Sequence, residues 1–135
     1  MNDIFSSLYA HYASEQGAGT VHALTGGRMF RAEAPAGAQR PCLACRWLGG
    51  EVTRFFGGSC LERCRIEFVV AADRQGDQKP AGQIQSALDS RFDGAVLPLA
   101  QSECLAIQRN GLPVERVQDG VTTITSSWVV ERQRL

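Results

Sequence analysis

An alternating stretch, residues 64–72, limits what this chain can fold into more than any other feature. Its apolar side chains recur at every second position, and the residues between them begin with a charged pair, Arg65 and Glu67. A period of two with one apolar face is typical of a half-buried strand. The intervening positions become apolar at Val69 and Ala71, which predicts that this end of the strand is covered on both faces. The alternating apolar residues are Cys64, Ile66, Phe68, Val70 and Ala72.

The apolar period changes to three and four residues after a polar segment, residues 73–79, in which Gly76 favours the end of the strand. Pro80 suits the first turn of a helix, where its missing N–H leaves no hydrogen bond unmade. A strand and a helix that folds back over it make a two-layer core. The apolar stripe of this predicted helix contains Ala81, Ile84, Ala87, Leu88 and Phe92.

Another helix is predicted at the start of the chain, with Asn2 as its cap and its end near Glu15, before Gly17 and Gly19. A helix of this length is marginal alone in water, so its apolar stripe must pack on another element. We expect it to lie beside the other helix on one face of the sheet. The stripe contains Ile4, Phe5, Leu8 and Tyr12, with Tyr9 at its edge.

A long, bent hairpin is predicted before and into the alternating stretch. Pro41 opens its first strand over residues 42–48, glycines at 49–50 interrupt it, and residues 52–56 continue it. The chain then reverses at residues 57–59. One side of the first strand carries Leu43, Cys45 and Trp47. Upstream of the hairpin, residues 21–24 fit neither helix nor strand clearly, Met29 and Phe30 fit a short extended piece, and residues 33–40 predict a loop.

The C-terminal part predicts three more strands. Residues 104–109 and 114–118 flank Asn110-Gly111, a pair that favours a tight hairpin turn. A second turn at Asp119-Gly120 leads into a strand over residues 121–131, rich in Thr and Val. The predicted fold is a single α+β domain over residues 1–135, with a mainly antiparallel sheet and two α-helices packed on one face.

Composition excludes several classes of protein. The chain carries 14 basic and 14 acidic residues, which argues against an extended surface for nucleic acid or anionic membrane. No segment approaches the roughly 20 apolar residues of a membrane span. The first residues have neither a basic nor a long apolar region, so we do not expect a signal peptide. Synthesis in a reducing cytoplasm follows, where the five cysteines are thiols by default.

Four cysteines offer an alternative, a small zinc-binding adaptor. Cys42 and Cys45 have the spacing of a zinc knuckle, and Cys60 and Cys64 are one residue further apart, so four thiolates could close a structural site. The strand pattern argues against it, because residues three apart in a strand point to opposite faces. Cys64 also follows the apolar register of its strand, where a thiol packs as a small apolar group. We therefore predict no metal and no cofactor.

No constellation for catalysis stands out. His11 and His22 have no carboxylate or cysteine at catalytic spacing, and the glycine pairs form no phosphate-binding motif. We predict that the chain is not an enzyme and has no catalytic residues. Thirteen of the 14 basic residues are Arg, which favours interfaces or reflects a GC-rich genome. Trp47, Phe55 and Phe56 lie among glycines, where they fit either a subunit contact or the domain's own core.

The order of these features resembles the tail completion, or tail-terminator and tail-to-head joining, proteins of long-tailed bacteriophages. The resemblance covers nearly the whole chain. Cys42 and Cys45 stand where this family usually has Tyr or Val after the opening proline. The motifs that carry the resemblance are the N-terminal helix, Gly26-Gly27-Arg28-Met29-Phe30, Ala34-Pro35, Pro41, the strand from Arg63 to Ala71, Ala87-Leu88-Asp89, and Trp128-Val129-Val130-Glu131-Arg132.

This resemblance implies a structural virion protein at the junction of tail and head. Such proteins are similar to ring-forming caps, typically hexameric, that end polymerisation of the tail tube and offer a surface to the head connector. The implied partners are other copies of the chain, the major tail tube protein and a head-closure or connector protein. DNA would only pass through the ring channel. Another neck component, such as a head-closure protein, is the alternative within the virion.

Ring closure needs two different patches on each subunit, meeting head to tail. Three regions are predicted to supply them: the Glu33–Arg40 loop, the Gly49–Ser59 hairpin region and the Arg109–Gly120 turns.

Overall fold

Three helices and seven strands make up the part of the chain that the computed structural model describes, namely residues 2–54, 60–74, 80–99 and 103–134. None of these helices is long and apolar enough to cross a membrane. In chain order the elements are α1 (Asn2–Ala13), α2 (Val21–Leu24), β1 (Met29–Arg31), β2 (Cys42–Arg54), β3 (Cys60–Asp73), α3 (Pro80–Phe92), β4 (Ala95–Pro98), β5 (Cys104–Arg109), β6 (Val114–Gln118) and β7 (Val121–Arg134).

The seven strands form one sheet in the order β1-β2-β3-β7-β5-β4, and β6 also pairs with β7. Only β1 and β2 are parallel; every other pair is antiparallel. The sheet curls into a half-barrel. The predicted α+β class with a mainly antiparallel sheet is therefore confirmed.

The alternating stretch lies in β3, at the centre of the sheet, and its apolar side chains are buried as predicted. We call the face that they line the inner face. Phe68 contacts Trp128 of β7 edge-to-face, with ring centroids 5.8 Å apart, and Phe92 of α3 at 5.1 Å. Aromatic pairs in such geometries add to the free energy gained by burial. The core therefore lies between the inner face and the helices.

Helices α1 and α3 lie side by side, as the sequence predicted. The Arg91 guanidinium of α3 donates to the carbonyl of His11 in α1 and forms an ion pair with Glu15 at 3.0 Å. The His11 ring packs edge-on against Phe92, with centroids 5.2 Å apart. Four of the five predicted α3 residues are buried, and Ala87 is half-buried against the core.

Residues 21–24, which the sequence left open, form α2 as a third helix. Thr20 caps it, with its hydroxyl accepting from the Ala23 N–H at 3.3 Å. The buried hydroxyls of Tyr12 and Thr25 are hydrogen-bonded to each other, which ties the end of α2 to α1. The prediction of two helices was therefore incomplete, because four residues are too few to give a helical period.

Strands β2 and β3 form the predicted antiparallel pair, and its described part joins residues 42–54 to residues 60–71. Its register shifts between Trp47 and Gly49, as the glycine pair indicated. Gly50 is needed for steric reasons, because a Cβ there would lie 2.6 Å from the carbonyl oxygen of Arg63. The predicted reversal at residues 57–59 lies outside the described residues. The sequence predicted that the C-terminal end of β3 is covered on both faces. The face opposite the inner face is only partly covered, because Val69 and Ala71 are half-buried there. Their partners on β2, Ala44 and Cys42, are buried.

The predicted hairpin at Asn110-Gly111 is wrong. Strands β5 and β6 do not pair with each other; both pair with β7, one after the other along the same edge. The Asn110 N–H donates to the carbonyl of Ser127 at 2.8 Å, so the chain stays on β7 as it bends. Strand β7 has 14 residues, enough to pair with both short strands, which explains why the local turn signal failed. Strand β4, with four residues and a terminal Pro98, was not predicted.

Candidate subunit interface

Strand β6 forms an exposed edge of the sheet. It pairs with β7 on one side, and no other strand among the described residues pairs with its other side. All five of its residues are exposed. Three large apolar side chains lie here: Leu112, 89% exposed, Val114, 55%, and Val117, 54%. We call residues 112–118 the β6 edge.

The Asp119-Gly120 turn holds β6 against β7. Both residues have positive φ, 53° and 75°, and Gln118 pairs directly with Val121. The sequence predicted a turn at this pair, and the structure shows that the turn closes a hairpin. Two consecutive residues with positive φ suit the right-handed twist of the strands they join. The β6 edge is therefore a fixed part of the sheet, and its unpaired backbone groups face outward.

A second exposed edge lies on β2, beyond the point that β1 covers. Strand β1 pairs with β2 only from Leu43 to Cys45, and the Ala32 N–H adds a last bond to the Cys45 carbonyl at 2.7 Å. From residue 46 onward, no strand among the described residues pairs with the side of β2 that faces away from β3. Trp47 is 40% exposed and Leu48 is 50% exposed. We call residues 46–54 the distal β2 edge.

A shallow groove of about 390 Å³ joins the distal β2 edge to the start of the predicted contact loop. Ala32 and Glu33 form one wall and Trp47 and Leu48 the other. Trp47, one of the three aromatic residues predicted to fit a contact, therefore lies at the surface. Phe55 and Phe56 lie outside the described residues.

The two edges lie at diagonally opposite corners of the sheet. Strand β6 pairs with residues 121–125 of β7, which lie against residues 69–73 of β3. The distal β2 edge lies against residues 60–67 at the other end of β3, and on its other side. The two edges cannot meet within one molecule. Residues 49–54, the described part of one predicted contact region, and the region at 109–120 thus belong to different corners. Glu33, at the start of the predicted contact loop, borders the first of these corners.

Strand β4 is also an outermost strand, but its edge is closed. It ends at Pro98, which has no N–H to offer, and α1 packs beside it, with Ala10 and Leu97 lining one hollow. Proline and a covering helix are common ways in which proteins block an edge strand. Of the edges described here, the β6 edge and the distal β2 edge therefore remain open for pairing.

The cysteine pairs that suggested a zinc site lie on two strands of the sheet. Alternation along β2 puts Cys45 on the inner face and Cys42 on the opposite face. Cys60 and Cys64 lie in the unbroken strand β3, where residues four apart are separated by about 13 Å along the strand. Ligands of one zinc ion must each bring a sulfur to about 2.3 Å from it, which this separation does not allow. Among the described residues no three His, Cys, Asp or Glu side chains group together.

The buried thiols predict a loss of stability at high pH. Burial is the main cause that raises the pKa of Cys45 from 9.0 to about 12 and that of Cys64 to about 11. Above pH 9 the unfolded chain releases these protons first, so the free energy of unfolding should fall as the pH rises towards the folded values. Urea denaturation at about pH 8 and about pH 10.5, on either side of the unfolded value, should show this fall. The fall should be smaller in Cys45→Ala; an equal fall in both proteins would contradict the assignment.

The two histidines take part in packing. His11 Nε2 is 2.8 Å from the Arg91 carbonyl oxygen, and the His22 ring lies 5.1 Å from that of Tyr12. Neither contact pairs a histidine with a nucleophile. The charged pair with the least exposed side chains is Arg132–Glu103, 13% and 15% exposed, which joins β7 to the start of β5. These contacts explain how the domain holds together, and they do not form a reaction centre.

No protein-family model matches this chain, and no curated protein sequence matches it. Its fold, however, is similar to a solved structure described as "Virion of native gene transfer agent (GTA) particle". The similarity covers 99% of this chain and 100% of that one, with a TM-score of 0.63 and 17% sequence identity. The two chains share a fold. At this identity the similarity concerns the fold alone, and it extends over both chains from end to end.

Proposed function

We propose that this protein is a structural subunit of a bacteriophage or phage-like particle. In this proposal its copies form a ring, hexameric in the families it resembles, that caps the tail tube, ends its polymerisation and joins the tail to the head. The observation that carries the proposal is the end-to-end similarity in fold to a chain of a gene transfer agent virion. The order of sequence motifs supports it independently, because that resemblance came from residues and not from the fold.

The surface of the domain suits such a role. A closed ring needs two different contact patches on each subunit, and the β6 edge and the distal β2 edge are two open sheet edges at opposite corners. The formal net charge of zero suits a ring through which DNA passes without binding tightly to the protein. The proposed partners are therefore other copies of this chain, the major tail tube protein and a head-closure or connector protein, and the proposed location is the virion.

Deletion of the gene tests this role. Without a terminator, tube polymerisation has no stop, so particles made without this protein should carry tails of irregular, excessive length and few joined heads. Electron microscopy of the particles measures both features. Purified protein added to growing tubes should restore a narrow length distribution. Tails of normal length that fail to attach to heads would instead favour the other neck role, a head-closure protein.

A second measurement separates these roles from a function outside the particle. A peptide-specific antibody or a tag on this chain should label one end of isolated tail tubes in negative-stain images. Labelling of heads but not of tubes would place the chain on the head side of the junction. Particles that form normally without the chain, and that never contain it, would overturn a structural role altogether.

A further inference from the structure

We infer that neighbouring copies join by strand pairing, with the β6 edge of one copy added to the distal β2 edge of the next. The sheet would then continue from subunit to subunit around the assembly. This inference rests on the proposed function only in requiring several copies of the chain side by side. It adds to that proposal the surfaces that meet and the kind of bond that joins them.

Unpaired backbone groups give the first argument. An open edge presents a row of N–H and C=O groups that can pair with another strand. Both edges also carry exposed apolar side chains: Val114 and Val117 on one, Trp47 and Leu48 on the other. Such side chains contact one another across a newly formed strand pair. Pairing would thus satisfy backbone groups and bury apolar surface on both edges.

The choice of a second copy as the occupant follows from the position of the edges. One chain carries both edges, at diagonally opposite corners, so each copy offers one edge to each neighbour. Contacts of this head-to-tail kind close into rings when the rotation between copies allows it. The distal β2 edge is also long enough to pair with the whole of β6, because β6 has five residues and the edge comprises the nine positions from 46 to 54.

The contrast with β4 supports the choice. In this molecule α1 packs beside β4. Neither the β6 edge nor the distal β2 edge pairs with a further strand among the described residues. Lysine side chains commonly prevent edge strands from pairing with other chains. Neither edge carries a lysine, since the only lysine of the chain is Lys79. Glu115 and Arg116 are the charged residues of β6, and their charges cancel.

Mixed cross-linking tests the pairing directly. Leu48→Cys in a tagged copy is combined with Val117→Cys or Val114→Cys in an untagged copy, and a short bismaleimide is added. The two valines span β6, so at least one should lie within reach of Leu48 whatever the register. The matched control is Val96→Cys on β4, because Val96 is the same residue type and is 66% exposed. Wild-type protein measures the background from native thiols, three of which are buried.

We expect a tagged–untagged dimer with Val117→Cys or Val114→Cys at a yield at least several times that with Val96→Cys. Equal yields with all three partners, or coupling of Leu48→Cys only to itself, would overturn the edge pairing. All four positions are exposed, so thermal denaturation should confirm that each variant is folded. If the protein labels tube ends while the cross-link is absent, the edge pairing fails and the proposed function stands. If the cross-link forms but the protein binds neither tube nor particle, the proposed function fails alone.

Discussion

Replacing Trp128 with alanine is expected to lower the free energy of unfolding by about 3–5 kcal/mol, the usual cost of removing a large aromatic side chain from a core. Trp128 is fully buried on the inner face and packs edge-to-face on Phe68. Its indole N–H also donates to the hydroxyl of Ser126 at 2.9 Å, and Ser126 is buried too. The substitution therefore leaves both a cavity and a buried hydroxyl without this donor, and each costs free energy.

This loss is large for a domain whose whole stability is about 5–15 kcal/mol. Urea denaturation followed by circular dichroism measures it. The matched control is Trp47→Ala, which removes the other tryptophan of the chain from a position that is 40% exposed. We expect that change to cost less, about 1–2 kcal/mol, because 40% of the Trp47 side chain is already exposed to water in the folded protein. Similar losses in the two variants would show that the core does not centre on Trp128.

Replacing Val114 and Val117 together with lysine is expected to abolish self-association while leaving the fold intact. The two residues are three apart in a strand, so their side chains lie on opposite faces of β6 and both faces of the edge gain a charge. Burying an ammonium group without a partner against another strand costs more than about 1.4 kcal/mol, or tenfold in affinity, for each lysine. The pair should therefore raise the apparent dissociation constant between copies by about 100-fold or more.

Sedimentation over a range of concentrations measures this effect, and loss of tail-end labelling should accompany it. Because both valines are more than half exposed, the free energy of unfolding should change by less than about 1 kcal/mol. Val96→Lys on the closed β4 edge is the control and should associate as the wild type does. If the double variant assembles normally, the β6 edge is not a contact between copies; if Val96→Lys fails instead, the contact lies at β4.

The two lysine substitutions and the cross-links examine the same surface in different ways. The lysine substitutions test whether association requires the β6 edge. The cross-links identify which part of the neighbouring copy lies against that edge. Loss of association together with no cross-link to Leu48 would place another part of the neighbour against β6. Agreement of the two results would support one sheet that continues between copies.

Local patterns in the sequence determined the elements that form the core. The apolar residues recur every two positions in β3, and every three or four positions in α1 and α3. Each spacing shows which side of the element is buried, and it can be recognised from a short stretch of consecutive residues. A turn can also be predicted from local sequence when its formation depends only on the backbone conformations that its own residues prefer. Asp119-Gly120 makes the predicted turn because both residues adopt the positive φ values that a tight turn of this kind requires.

Only the tertiary structure decided which strands pair and which edges stay open. Asn110-Gly111 carries as strong a turn signal, yet β5 and β6 both pair with β7, because a 14-residue strand offers each of them a partner that no local pattern shows. The parallel pairing of β1 with β2 depends on the same kind of distant partner. Strand pairing joins residues far apart in the chain. The sequence therefore predicted contact regions near residues 49–59 and 109–120, but not which strand edges the pairing leaves open there.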